Sequence, residues 1–253
     1  IVGDVIGSIY EFKNIKSVDF PLFDDRCRFT DDTVLTIAVA DALLNKKEFA
    51  RNIWEYGNRY PTAGYGGTFC SWLSDDNLVP YNSWGNGSGM RVSAVGFAYN
   101  TIQDVLEISK QTAEITHNHP EGIKGAQSIS SAIFLARQGY SKIAIKDYIS
   151  QTFNYNLNFT LDEIRPTYKF EVSCQKSVPQ AIVSFLESAD FESSIRLAIS
   201  IGGDSDTIAA MCGGISAAFY KEIPQEIIDF TLSKLPQEFI DIINQFDKKY
   251  GNF

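Results

Sequence analysis

The stretch that most restricts this chain is IGGDSDTIAAMCGGISAAFY, residues 201–220. From Ile208 onward almost every side chain is small or apolar, and a helix of that kind is stable only when neighbours cover it on all sides. Any fold the chain adopts must place this helix near its centre. The same stretch opens with Asp204 and Asp206, two carboxylates one residue apart. Burying the helix carries its acidic end inward, where such close carboxylates repel unless a cation or a proton intervenes.

The rest of the sequence supplies the cover. Val34, Ile37, Ala38, Asp41 and Leu44 follow the helical step, as do Ile129, Ala132, Ile133 and Ala136. Val178, Ala181, Ile182 and Phe185 form another stripe, followed by Ile195, Ala198 and Ile199, and then by Phe239, Ile242, Ile243 and Phe246 in the tail 236–250. Helix starts are expected at Thr30-Asp31-Asp32, at Asp190 before 191–201, and with Pro236 in a first turn. Period-two runs are scarce, and only parts of 167–173 read as extended. Residues 57–96 are rich in glycine and read as loop around short helices. The expected architecture is all-α: one domain over 1–253, a compact orthogonal helical bundle with a glycine-rich loop region over one face and the acids at helix N-termini.

Charge narrows the function. The net charge is −9, and an acidic surface repels phosphate backbones, so duplex nucleic acid is not the expected partner. No apolar run spans a membrane, and no basic-then-apolar leader is visible. The chain opens at Ile1 without a methionine and reads as clipped there. Cys27, Cys70, Cys174 and Cys212 lack metal-like spacing and read as buried reduced thiols, so the protein is expected to be cytoplasmic. With two histidines, His117 and His119, a zinc site is poorly supplied.

Two segments ask for a hard cation. Residues 29–33 read FTDDT and residues 203–207 read GDSDT. Each combines two aspartates with threonine, and each leads into an apolar helix. One reading is helix capping, but one cap residue suffices for a helix. The other reading is a pair of ligand sets whose carboxylate and hydroxyl oxygens suit Mg²⁺, Mn²⁺ or Ca²⁺. Three further segments are weaker alone. Glu11 ends GDVIGSIYE and is also readable as a surface glutamate. WGNGSGMR, residues 84–91, is either a flexible loop or a backbone cradle for an anion. In THNHPEGIKGA, residues 116–126, a histidine either locks the turn or serves a site.

Together these segments resemble the ADP-ribosylglycohydrolase family. GDVIGSIYE, FTDDTVLTIAVADALL, WGNGSGMRVSAVGFAY, ITHNHPEGIKGA and IGGDSDTIAAMCGG occur in the family's order between residue 3 and about residue 220. The resemblance implies an all-α hydrolase with two Mg²⁺ or Mn²⁺ ions, cleaving the C1″ bond between ADP-ribose and an acceptor by means of an activated water. It implies that Thr30, Asp31 and Asp32 are one ligand set and that Asp204, Asp206 and Thr207 are the other, with Asp206 serving both ions. Glu11, Asp31 and Asp206 are then the catalytic carboxylates. Gly87, Ser88, Gly89 and Met90 match the segment that holds the diphosphate, and His117 matches a histidine near it. Tyr99 or Phe97 would line the pocket. Ala94 stands where relatives often carry proline, and the chain is shorter than the eukaryotic members. The implied partner is an ADP-ribosylated protein or a small ADP-ribose compound, met by a soluble monomer. The residues by themselves also allow a non-catalytic ADP-ribose sensor or a metal-dependent phosphoesterase.

Overall fold

A computed structural model describes residues 1–251. Its helices are α1 (Val2–Gly7), α2 (Asp31–Asn45), α3 (Phe49–Arg59), α4 (Gly67–Leu73), α5 (Gly87–Met90), α6 (Ser93–Ala98), α7 (Ile102–Glu114) and α8 (Pro120–Arg137). They continue as α9 (Lys142–Phe153), α10 (Leu161–Ile164), α11 (Cys174–Glu187), α12 (Phe191–Ser200), α13 (Ser205–Tyr220), α14 (Gln225–Ser233) and α15 (Gln237–Tyr250). There is no sheet among the described residues. The extended reading of 167–173 survives as a single antiparallel bridge between Ser173 and Gly85.

Helix α13 takes the central place that its composition requires, lying against α1, α8, α11 and α12. Ile208, Ala209, Met211, Cys212 and Ile215 are buried along it. Small residues let α1 approach closely. A methyl added to Gly3 would stand 2.1 Å from the Ala209 carbonyl oxygen, and one added to Gly7 would stand 2.5 Å from the Asp206 Cα. These two contacts make α1 antiparallel to α13 and bring its C-terminal end to the acidic start of α13. Gly7→Ala should therefore lower thermal stability by about 1–3 kcal/mol, because backbone stands where the methyl must go. A gain in melting temperature, the usual result of Gly→Ala on an open helix face, would refute this packing.

Around this centre, α8 packs on α5, α6, α7, α9 and α11, while α2 packs on α3, α6 and α15. Asp41, the polar member of the α2 stripe, is buried but accepts from Lys47 Nζ at 2.7 Å and from Asn45 Nδ2 at 2.6 Å. Capping follows the sequence at Asp190, which forms a capping box with Ser193. Pro236 is the N-cap of α15 rather than its first helical residue. Between 57 and 96 the chain alternates loops with the end of α3 and with α4, α5 and α6. Cys27, Cys174 and Cys212 are buried free thiols; Cys70 is free too, but exposed, which corrects the expectation that all four are buried. Among the described residues no helix is long and apolar enough to cross a membrane.

Candidate metal centre and cavity

The two acid clusters, far apart in sequence, meet at the N-termini of α2 and α13. Thr207 Oγ1 donates to Asp32 Oδ2 at 3.0 Å and ties one cluster to the other. Carboxylate oxygens of Asp4, Asp32 and Asp206 lie within 4.8 Å of one another, and so do those of Glu11, Asp204 and Asp206. Asp206 belongs to both trios. Thr30 and Asp204 occupy the N-cap positions of α2 and α13, yet neither side chain accepts a capping hydrogen bond. Capping therefore does not account for the clusters.

Asp4 holds the end of α2 in place. One of its oxygens accepts from Thr30 Oγ1 at 2.6 Å; the other accepts from the Thr30 and Thr33 amides, each at 3.0 Å, and from Thr33 Oγ1. Asp4→Ala strands all four donors in a buried place. Buried donors left unmatched cost about 1–3 kcal/mol each, so a loss of at least about 3 kcal/mol should appear in denaturant unfolding. A change within error would show that α2 does not depend on Asp4.

The start of α13 is set by a turn with Gly202 at φ +68 and Gly203 at φ +78, a left-handed pair that side-chain-bearing residues adopt at a cost. Asn14 brackets this turn, donating to the Gly203 carbonyl at 3.0 Å and accepting from its amide at 2.7 Å. The same amide nitrogen of Asn14 donates to the Glu11 carbonyl at 2.7 Å, so the Glu11 loop and the GDSDT turn are joined. Asn86 Nδ2 donates to Asp204 Oδ2 at 2.7 Å and links the glycine loop to the acids.

Glu11, Asp31, Asp32, Asp204, Asp206 and Thr207 line a cavity of about 560 Å³. Burial, then the charge of Asp204, pushes the Glu11 carboxyl up to about 7. Burial followed by Asp4 and Asp204 pushes Asp31 up to about 8. Burial is also the main cause that raises Asp204, and that holds Asp32 and Asp206 well above the usual carboxylate range. Asp32 Oδ1 is buried without a hydrogen-bond partner. Clustered hard oxygens with an unmatched buried lone pair fit a divalent cation of the Mg²⁺ or Mn²⁺ type.

The remaining candidate residues divide. Asp31 lines the cavity outside both trios. Thr30 is turned to Asp4 and is not among the lining residues. Gly87, Met90 and His117 also line the cavity. Ser88 instead donates to the Gly122 carbonyl at 2.7 Å, and Gly89 faces Met211. Phe97 lines a separate apolar cavity, and Tyr99 is absent from the acidic one. His119 caps α8, its Nδ1 accepting from the Glu121 amide at 3.1 Å. Sequence reasoning missed Asp4, Asn14 and Asn86 as supports, although Asp4 and Asn86 stand inside GDVIGSIYE and WGNGSGMR. It also missed Tyr81, Trp84 and Phe170 as cavity walls.

An all-α protein with paired acidic helix ends lining one cavity has recognisable relatives. The profile of the family described as ADP-ribosylglycohydrolase matches residues 1–249. The ADP-ribosylhydrolase ARH3 of Gallus gallus is 25% identical over 307 aligned positions, covering 88% of this chain and 83% of the chicken protein. The Homo sapiens ARH3 is 24% identical over 302 positions, covering 87% and 83%. Both alignments are longer than the chain, so the vertebrate proteins carry insertions inside the matched region. A solved structure titled as an ADP-ribosylglycohydrolase-related protein complex superposes with a TM-score of 0.75 at 20% identity, covering 98% of this chain and 94% of that one, which shows the shared fold. The chain belongs to the ADP-ribosylglycohydrolase family and is accordingly a hydrolase of glycosyl bonds.

Proposed function

We propose that this enzyme cleaves the C1″ bond between ADP-ribose and an acceptor, with two divalent cations, Mg²⁺ or Mn²⁺, among the acids of the cavity. The observation that carries this reading is the pair of carboxylate trios sharing Asp206. Asp31 and Asp32 would hold one cation and Asp204, Asp206 and Thr207 the other, with Asp206 common to both, while Thr30, whose hydroxyl is given to Asp4, stays outside the cavity. The cations, when bound, would neutralise the acids and withdraw electron density from the substrate oxygens they touch.

The chain's own residues do the rest. Glu11, half-buried beside Asp204 and Asp206, takes a proton from the water that attacks C1″. Bond breaking builds oxocarbenium-like charge at C1″, which Asp31 would face, and the proton taken by Glu11 passes on to the departing acceptor, so that ADP-ribose and the protonated acceptor are released. On the glycine loop, the first-turn amides of α5 have no intrahelical acceptor. With His117 they offer donors to a diphosphate. Trp84 and Phe170, each about half exposed on the cavity wall, form a mouth for the adduct. Four free cysteines suit a reducing compartment such as the cytoplasm.

The test is product identity. Arginine-linked, serine-linked and O-acetyl ADP-ribose are incubated with the protein in Mg²⁺ or in EDTA. Release of free ADP-ribose from at least one, lost in EDTA, is the expected result. Inorganic phosphate as the product, or tight ADP-ribose binding with no release from any compound, would overturn it.

A further inference from the structure

Arg91 follows α5 and is 1% exposed, among the largest fully buried side chains. No ion pair among the described residues includes it. One terminal nitrogen donates to the Thr112 carbonyl at 2.9 Å and to Thr116 Oγ1 at 2.8 Å, while Nε and the other terminal nitrogen have no partner. A buried guanidinium without a counter-charge is costly, so its place here calls for an explanation. It lines the cavity, as do the glycine loop, His117 and Tyr81.

Thr116 Oγ1 lies 2.7 Å from His117 Nδ1. Arg91 can only donate, so Thr116 accepts from it and keeps one hydrogen to give and one lone pair. The Tyr81 hydroxyl is also beside Thr116, but an imidazole nitrogen is the stronger acceptor, and the guanidinium polarises the Thr116 hydroxyl toward it. Giving that hydrogen to Nδ1 makes Nδ1 the acceptor in a neutral ring, whose one proton then sits on Nε2. Burial and the charge of Arg91 both hold the ring neutral. Nε2 is turned to the glycine loop: methyls added to Gly87 and Gly85 would stand 3.1 Å and 3.4 Å from it. Nε2 has no hydrogen-bond partner among the described residues.

We infer that Arg91 and Thr116 are positioning residues that lock His117 in its Nε2–H tautomer, so that it presents one N–H donor to an anionic group of the ligand at the glycine loop. Arg91 also leaves a positive charge in the cavity wall, which the anion balances. Naming the anion as the diphosphate of ADP-ribose rests on the proposed function; the tautomer does not.

Ligand-free protein labelled with ¹⁵N in its two histidines gives the tautomer directly by NMR. His117 should show a protonated Nε2 and a bare Nδ1. Thr116→Val removes the hydroxyl with little change of shape; it should mix the His117 tautomers and weaken ADP-ribose binding about 10-fold, the size expected for one hydrogen bond to a charged group. Thr116→Ser should restore both. A wild-type His117 carrying its proton on Nδ1, or a Thr116→Val protein with wild-type tautomer and affinity, would overturn the relay. If the tautomer responds as described but the wild type does not bind ADP-ribose, the relay stands and the ligand assignment falls.

Discussion

Asp206→Asn is expected to lower kcat by more than about 100-fold, since even the outer partners of metal ligands are worth roughly 10–100-fold and Asp206 is common to both carboxylate trios. The fold should survive. Asp206 Oδ1 accepts from the Thr207 amide at 3.0 Å, and an asparagine oxygen can do the same. The substitution also removes one of several repelling carboxylates, so in EDTA the variant should melt no lower than the wild type. Steady-state rates and melting curves check the two halves separately. A variant with normal turnover would remove Asp206 from the chemistry; one that is inactive and melts lower in EDTA would make its role structural.

The second large effect is on stability. Carboxyls in an unfolded chain titrate near 4. In the folded protein Glu11 is raised to about 7 and Asp31 to about 8, and Asp32, Asp204 and Asp206 are raised as well. Between these limits the folded state holds protons that the unfolded state has released. Raising the pH then favours unfolding. The contribution of these groups is fully present below about 4 and is lost as pH rises through about 7–8. Metal-free protein should accordingly melt lower at pH 8 than at pH 5. A cation replaces those protons: at 100 times its dissociation constant it contributes about 2.7 kcal/mol. For a chain of this size that is a rise of roughly 5–10 °C. Differential scanning fluorimetry across pH, with Mg²⁺ or EDTA, measures both. A melting temperature that rises from pH 5 to 8 without metal, or that ignores Mg²⁺ at pH 8, would contradict the reading of the acids as a cation site.

The helices were legible because their apolar residues recur every three or four positions. The central place of α13 followed from its lack of a polar face. The convergence of FTDDT and GDSDT was legible from composition: two acid pairs on buried helices have few ways to be neutralised other than by sharing a site. The supports were not legible. Asp4 looks like one more polar residue in a glycine-spaced segment, and nothing local shows that both its oxygens serve Thr30 and Thr33. Asn14 looks like loop, and its bonds to Gly203 cross almost the whole chain. Ser88 and Gly89 share a motif with Gly87 and Met90, but one turn of helix sends its two middle members away from the cavity, to Gly122 and Met211. The two histidines stand one residue apart and do different work. His119 closes a helix end, and His117 lines the cavity with its Nδ1 beside the Thr116 hydroxyl, to which Arg91 donates.

The most direct test of the central claim is crystallographic. Crystals grown in EDTA and soaked in Mn²⁺ should give anomalous difference peaks among Asp32, Asp204 and Asp206, with Asp206 beside more than one of them. The same soak of Asp206→Asn crystals should lose or weaken those peaks. An acidic cavity that stays free of anomalous signal at millimolar Mn²⁺ would contradict the account, because the clustered carboxylates would then be neutralised by protons alone.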